Sequence, residues 1–265
     1  MIYKNAKYLL CGDRFMVVEY GDEGSLQMSY KVLGMKTLID RDHIEGTLEL
    51  CPGSASLMVS YDPSVIKINR LVARLKGYEE KASGSSINIP SRIIKIPIWY
   101  NDPSTNECAR EFGVRNNIEW AAEINKMGVD EFIKIHSSAT YMVTSIGFSP
   151  GSPAFLSIDP DRELVGPKYK PRTWTPRGTL GLGGNSNIIY AMKGPGGVSM
   201  LGVTPLLLYD IAQRNPVFKE DPILFRPGDR IAFVLIGKEE FEEISRNIRD
   251  YSYDIVQGET LTIDL

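Results

Sequence analysis

From residue 139 onward, apolar runs end at glycine or proline again and again. "ATYMVTSIGF", "NSNIIYAM", "VSMLGVT" and "DRIAFVLIG" are each about one strand long, and each is bounded by Gly, Pro or small polar residues. Short β-type runs at this spacing predict a closed or nearly closed antiparallel barrel. Just before them, "NIEWAAEINKMGVDEFIKIH" carries helical spacing, which predicts a helical insert over roughly 106–136. A charged helix over 238–249 and a last strand, "ETLTIDL", close the chain.

The first 88 residues have a different texture. "FMVVEYG" alternates as a strand, and 25–39 places Leu26, Tyr30, Leu33 and Leu38 at helical spacing. "GTLELCPGSASLMVSYD" reads as a hairpin broken at Pro52-Gly53, and "PSVIKINRLVARLKGYEE" sets Val65, Ile68, Leu71, Val72 and Leu75 on one helical face. Strand, helix, two strands and helix make a compact α+β layer, with "RIIKIPIWY" expected to add its last strand. "KASGSSIN" (81–88) is the expected linker. The fold class expected is therefore an α+β N-terminal subdomain, 1–88, followed by an all-β barrel domain, 89–265, with a helical insert.

Composition narrows the partners. A net charge of −3 shows no basic excess, so no nucleic-acid partner is expected. No apolar run approaches the ~18 residues of a membrane span, and "MIYKNAKYLLCGDRF" lacks a secretion-signal core, so a cytoplasmic protein with no membrane partner is expected. Cys11, Cys51 and Cys108 are odd in number and form no C-x-x-C, and only His43 and His136 accompany them. Reduced thiols and no metal site are expected.

One motif points to chemistry and fails. Gly147-Phe148-Ser149-Pro150-Gly151 spells G-x-S-x-G, the nucleophile elbow of serine hydrolases. The elbow's oxyanion hole uses the N–H of the residue after the serine, and Pro150 has none. No histidine follows residue 149 to complete the order Ser, Asp, His. Ser149 reads as a turn residue.

Other residues carry two readings each. His136, ending a helix-like run, suits proton movement or a substrate carbonyl, and equally suits a helix C-terminus whose last carbonyls it satisfies. Lys168, Tyr169, Arg172 and Arg177 stand among Pro167, Pro171 and Pro176. Fixed cations and a phenol in a stiffened loop would stabilise developing negative charge on oxygen, or they are ordinary solvated charges. Asn185, Ser186 and Asn187 offer amide and hydroxyl bonds to a ligand, or close a turn. Gly196 and Gly197 allow positive φ or close backbone approach beside a ligand or partner. "GLGG" is neither a dinucleotide fingerprint nor a P-loop, so no ATP binding by this chain is expected.

A longer pattern unites these segments. "VDEFIKIHSSATYMVTSIGFSPGSPAFLSIDP", "PKYKPRTWTPRGTLGLGGNSNIIYAMKGPGG", "LGVTPLLLYD" and "ILFRPGDRIAF" follow in one order. Together they resemble the KipI family, also called allophanate hydrolase subunit 1 or the 5-oxoprolinase B subunit. The same module is half of the carboxyltransferase domain of urea carboxylase, and "PKYKPRTWTP", "GLGG" and "WYNDPSTNECA" are similar to that branch. The resemblance implies a cyclophilin-like barrel and a homologous partner of the allophanate hydrolase subunit 2 type. It implies carboxyl-biotin on a partner domain, with a biotin carrier protein, or else ATP used by a partner subunit in opening a lactam. A regulatory role, inhibiting a sensor kinase, is the third implication. It assigns catalytic roles to His136, Lys168, Tyr169 and Arg172, and substrate contacts to Arg177, Asn185, Ser186, Asn187, Gly196 and Gly197.

The chain departs from the family pattern at several positions. Val203 stands where an arginine is usual, Ser186-Asn187 near a usual Gln-Thr pair, and Val198 where an aromatic follows P-G-G. Ala191 replaces a proline, and Ser152 an aromatic. A different nitrogen substrate or a reduced activity is the expectation from these changes.

Overall fold

A computed structural model describes residues 1–82 and 84–264. The chain divides into two compact units, Met1–Ser91 with Gly258–Leu265, and Arg92–Gln257. Ser83, in the expected linker, and Leu265 lie outside the described residues.

In the first unit, β1 (Ile2–Cys11), β2 (Phe15–Gly21), β3 (Thr47–Pro52) and β4 (Ser56–Tyr61) form an antiparallel sheet ordered β1-β2-β4-β3. Helices α1 (Leu26–Asp42) and α2 (Ile68–Ala82) supply the rest of the core. Ser25 caps α1 by accepting the Met28 N–H at 3.3 Å, and Met28, Val32, Met35 and Ile39 then recur at helical spacing on the buried side. The expected helix near 63–80 begins later, at Ile68, which leaves Val65 outside it and exposed. The expected linker is instead the end of α2 and the start of β5 (Ser86–Pro90). The C-terminal strand Thr260–Asp264 pairs antiparallel with β5, so the last strand joins this unit rather than the barrel region.

The second unit holds β6 (Ile93–Tyr100), α3 (Pro103–Glu111), α4 (Asn117–Ile124), α5 (Val129–Ser138), β7 (Thr140–Ile146) and β8 (Pro153–Ser157). β9 (Lys168–Thr175), β10 (Thr179–Gly183), β11 (Ser186–Ile189), β12 (Gly194–Val203), β13 (Arg230–Leu235), α6 (Lys238–Arg246) and β14 (Ile255–Val256) follow. The strands form one nine-stranded sheet, ordered β14-β6-β13-β7-β8-β11-β10-β12-β9. A further pairing, Gly202 with Tyr100 and Val203 with Trp99, joins β12 back to β6 and closes the sheet on itself. Gly202 makes this closure possible, because a Cβ there would stand 2.8 Å from the Tyr100 Cα.

Two expectations change here. "RIIKIPIWY" is not the last strand of the first block. As β6 it lies inside the second sheet, with Ile94, Ile96 and Ile98 fully buried, and it runs parallel to β13. The sheet is therefore mixed rather than wholly antiparallel. The long excursion from β6 to β13 supplies the crossover that a parallel pair requires. "PKYKPRTWTP" is a strand, β9, not a loop. It lies at the end of the sheet order, where Pro171 can sit without depriving an inner neighbour of an N–H.

The helical insert appears as three helices. Asp102 caps α3 by accepting the N–H groups of Ser104 and Thr105 at 2.9 and 3.1 Å, with Pro103 at the first position. Ile118, Ala121, Ala122 and Phe132 carry α4 and α5 into the core formed by Ile96, Val143, Phe155, Leu180 and Leu201.

Candidate functional site

The ten candidate residues do not gather at one place. They fall into one interior histidine centre, one arginine centre at β9 and β12, and scattered positions between.

His136 ends α5 and is 1% exposed. Its Nε2 lies 2.9 Å from the Asn187 Oδ1, an oxygen that only accepts, so Nε2 carries the proton. Its Nδ1 then accepts the Tyr100 hydroxyl at 2.8 Å. Phe132 and Phe233 stack on the ring at 5.9 and 5.5 Å between centroids. Burial pushes its pKa down to about 4, against the opposing effect of its hydrogen bond to Asn187, so the ring is neutral near pH 7. The carbonyl at this helix end is taken by the Tyr141 hydroxyl at 2.7 Å, not by the imidazole. His136 and Asn187 thus form a closed hydrogen-bonded bridge from α5 to β6 and β11.

Arg172 is placed differently. It lies on β9 opposite Gly196 of β12, 2% exposed. Its Nη2 donates to the Val198 carbonyl at 3.1 Å, and Nε and Nη2 approach the Thr175 Oγ1 at 3.4 and 3.3 Å. Nη1 is buried with no hydrogen-bond partner, and no carboxylate pairs with this guanidinium among the described residues. A buried charged donor left this way costs about 1–3 kcal/mol or more.

Hydroxyls and aromatic rings surround that group. The guanidinium stands 5.3 Å from the centre of the Tyr169 ring, whose hydroxyl reaches the Val198 carbonyl at 3.0 Å and the Asn117 Oδ1. Trp120 stacks on Tyr169 at 5.5 Å. A Cβ on Gly196 would meet the Tyr190 hydroxyl and, at 2.9 Å, the Thr175 Oγ1, while one on Gly197 would lie 2.5 Å from the Tyr169 carbonyl oxygen. Neither glycine has positive φ. Close approach of β9 and Tyr190 explains both. Burial pushes the Tyr169 and Tyr190 phenols up, against the pull of Arg172, so both stay protonated near neutral pH.

The Gly-Phe-Ser-Pro-Gly turn overlooks this centre. Phe148 takes φ 67, unusual for a bulky residue, and is 65% exposed with its ring edge-on to Tyr190 at 5.9 Å. Ser149 and Ser152 share a hydroxyl hydrogen bond at 2.7 Å, and the Ser152 Oγ accepts the Ala191 N–H at 3.0 Å. The Ser149 hydroxyl pairs with Ser152, and both nitrogens of His136 are hydrogen-bonded to Tyr100 and Asn187 instead.

The remaining candidates stand apart. Lys168 is exposed and extends along the Gly183-Gly184 turn. Arg177 donates to the Leu206 carbonyl at 2.8 Å, and burial lowers its pKa. Asn185 donates to Glu163 at 2.6 Å in an exposed turn, and Ser186 opens β11. Sequence reasoning missed Tyr100, Asn117, Thr175 and Tyr190 as partners of these groups. Tyr190, on the "IIYAM" run beside the altered Ala191, offered the clearest signal.

No group of three or more His, Cys, Asp or Glu residues able to hold a metal ion occurs among the described residues. No described helix is long and apolar enough to cross a membrane.

Comparison with known proteins adds to this geometry. A family model, carboxyltransferase domain, subdomain C and D, matches residues 6–219. Urea amidolyase of Lachancea kluyveri is 28% identical over 96% of the chain, which spans 14% of that protein. The 5-oxoprolinase B subunit of Bacillus subtilis (strain 168) is 30% identical over 87% of the chain and 92% of its own length. The crystal structure of K. lactis urea amidolyase superimposes with a TM-score of 0.83 at 28% identity, over 98% of this chain and 16% of that one.

Proposed function

We propose, for a chain that belongs to the carboxyltransferase domain, subdomain C and D, family, that it forms half of a urea-carboxylase-like carboxyl-transfer unit acting on an amide-type nitrogen. The observation that carries this reading is Arg172, a buried cation with one nitrogen free and no carboxylate partner. Carboxyl transfer develops negative charge on oxygen, and a fixed guanidinium in a low-dielectric setting stabilises such charge without reorganising.

Each neighbouring residue has a part. Thr175 and the Val198 carbonyl fix the guanidinium plane, leaving Nη1 to meet an anionic oxygen. Nη1 is buried, so engaging it requires its surroundings to give way as a homologous partner subunit docks. Phe148 presents an aromatic face to a planar amide or ureido group, and Lys168 draws anions toward it. The orphan Nη1 and the aromatic rim fit carboxyl-biotin delivered by a separate domain, with a biotin carrier protein in the assembly. When bound, that group supplies the carboxyl to be transferred. In this reading the closed sheet is the cyclophilin-like barrel, and the two units are the two subdomains.

A second reading is the B-type component of a 5-oxoprolinase-like enzyme, with ATP used by a partner subunit. The match across 92% of the B. subtilis protein favours it. Tagging the chain in its native host and identifying what co-elutes separates the two. A homologous subunit together with a biotinylated component supports carboxyl transfer. Absence of any biotinylated component removes that reading, and a companion lactamase subunit establishes the second.

A further inference from the structure

A cavity of about 530 Å³ opens in the first unit, between the start of β1, the end of β2, and helices α1 and α2. It lies within one compact unit and owes nothing to the Arg172 centre. Its origin is a break in strand pairing. Ile2 faces Gly21 and Lys7 faces Glu19, so residues 3–6 of β1 bulge opposite the single residue Tyr20. Bulges of this kind bend a strand and re-aim its side chains. Here the bulge carries Lys4 and Asn5 into the cavity wall.

Tyr20 lies in that wall. Its side chain is 4% exposed and its hydroxyl makes no hydrogen bond among the described residues, while its backbone N–H is satisfied by the Ala55 carbonyl at 2.9 Å. Burial pushes the phenol up, with the charge of Glu79 adding to it, so the hydroxyl remains a donor at any physiological pH. The neighbouring phenol, Tyr8, is already committed to Glu79 at 2.6 Å. That contact occupies one carboxylate, and Glu80 also lines the cavity, so three lysines stand against two carboxylates and one positive charge remains in excess.

Lys31 on α1 and Lys76 on α2 join Lys4 around the same space. None of the three pairs with a carboxylate among the described residues, although Lys76 stands 5.5 Å from the Tyr8 ring. The base is apolar, with Met35 at 1% exposure and Ala82 beside it. Three unpaired ammonium groups and a buried, unpartnered phenol over an apolar base favour one charged headgroup and one uncharged body.

We propose that this cavity is a binding site for a small organic anion, with a carboxylate or phosphate held by Lys4, Lys31, Lys76 and the Tyr20 hydroxyl, and its uncharged body against Met35.

Met35 provides the readout, in the full chain labelled with ¹³C-methyl methionine and assigned by Met35→Leu. Benzoate, phenyl phosphate and uncharged benzamide are titrated in turn. Benzoate or phenyl phosphate should move the Met35 methyl signal saturably, and the tighter of the two identifies the headgroup. Benzamide should bind at least about tenfold more weakly, the loss expected for one charge-assisted contact. Lys31→Gln combined with Lys76→Gln should weaken the anion by about tenfold or more, and Tyr20→Phe by a few-fold, the smaller effect of a neutral donor. Unchanged signals from Met16 and Met28, in the core of the same unit but outside the cavity lining, report that each variant is folded. The proposal is overturned if neither anion moves Met35 up to about 10 mM, below any useful affinity. Equal binding of benzamide, or unchanged affinity in the lysine double variant, also overturns it.

Discussion

His136 and Arg172 are both buried in the second unit, yet their nitrogens are treated in opposite ways. Both ring nitrogens of His136 are hydrogen-bonded, and burial keeps it neutral. Among the described residues Arg172 pairs with no carboxylate, and its Nη1 is unpaired. A fully satisfied polar group specifies a fold, whereas a half-satisfied one costs stability and calls for an explanation. Sequence placed the two residues in the same catalytic set. The structure places them in separate surroundings, one fully hydrogen-bonded and one not.

Substitutions can break this contrast, and the largest effect should come from Arg172. Arg172→Met in the assembled complex should lower turnover by about 10²–10³, the loss typical of one preorganised charge donor. Its denaturant midpoint should hold or rise, since replacing a poorly paired buried charge with an apolar chain is often neutral or stabilising. His136→Ala should do the reverse. It strands the Tyr100 hydroxyl and the Asn187 amide and opens a cavity, at about 3 kcal/mol in urea unfolding, with turnover per folded molecule retained.

The pH dependence of stability sharpens the comparison further. The unfolded histidine takes up a proton near pH 6.5, whereas the folded one does so only near 4. Between those values the unfolded chain binds more protons, so stability is present above pH 6.5 and lost as pH falls toward 4. The loss should be on the order of 3 kcal/mol and should flatten in His136→Ala. Gly196→Ala, forced against Tyr190 and Thr175, should cost about 1–3 kcal/mol by overpacking and reduce turnover by displacing Thr175, a hydrogen-bond partner of Arg172. Asn185→Ala should change stability by no more than about 0.5 kcal/mol, as for an ordinary surface site, and leave turnover unaltered.

Local pattern made much of the fold legible. Alternation showed β2, helical spacing showed α1, and Gly-Pro punctuation showed the strands that close the second sheet. What escaped depends on distant partners. "RIIKIPIWY" is a strand in any reading, but its place beside β13 is decided by residues 230–235, far along the chain. The prolines of "PKYKPRTWTP" favour a loop locally, and an edge position in the sheet overrides them. The C-terminal strand finds β5 across nearly the whole sequence.

The same holds for the site. Charge and proline spacing drew attention to Lys168, Tyr169 and Arg172, and the structure brings Tyr169 and Arg172 together. Spacing carried no sign that His136 would meet Tyr100 and Asn187, or that Arg172 would lack an acid. Pairing of buried polar groups is a three-dimensional property.

The contrast between the two centres is tested most directly by side-chain NMR of the chain assembled with its partner, titrated with oxamate, a small planar anion that sets a carboxylate beside an amide. The Arg172 guanidinium signals should shift saturably while the His136 ring signals stay in place. Movement of His136 with Arg172 unchanged, or no movement of either, would contradict the account.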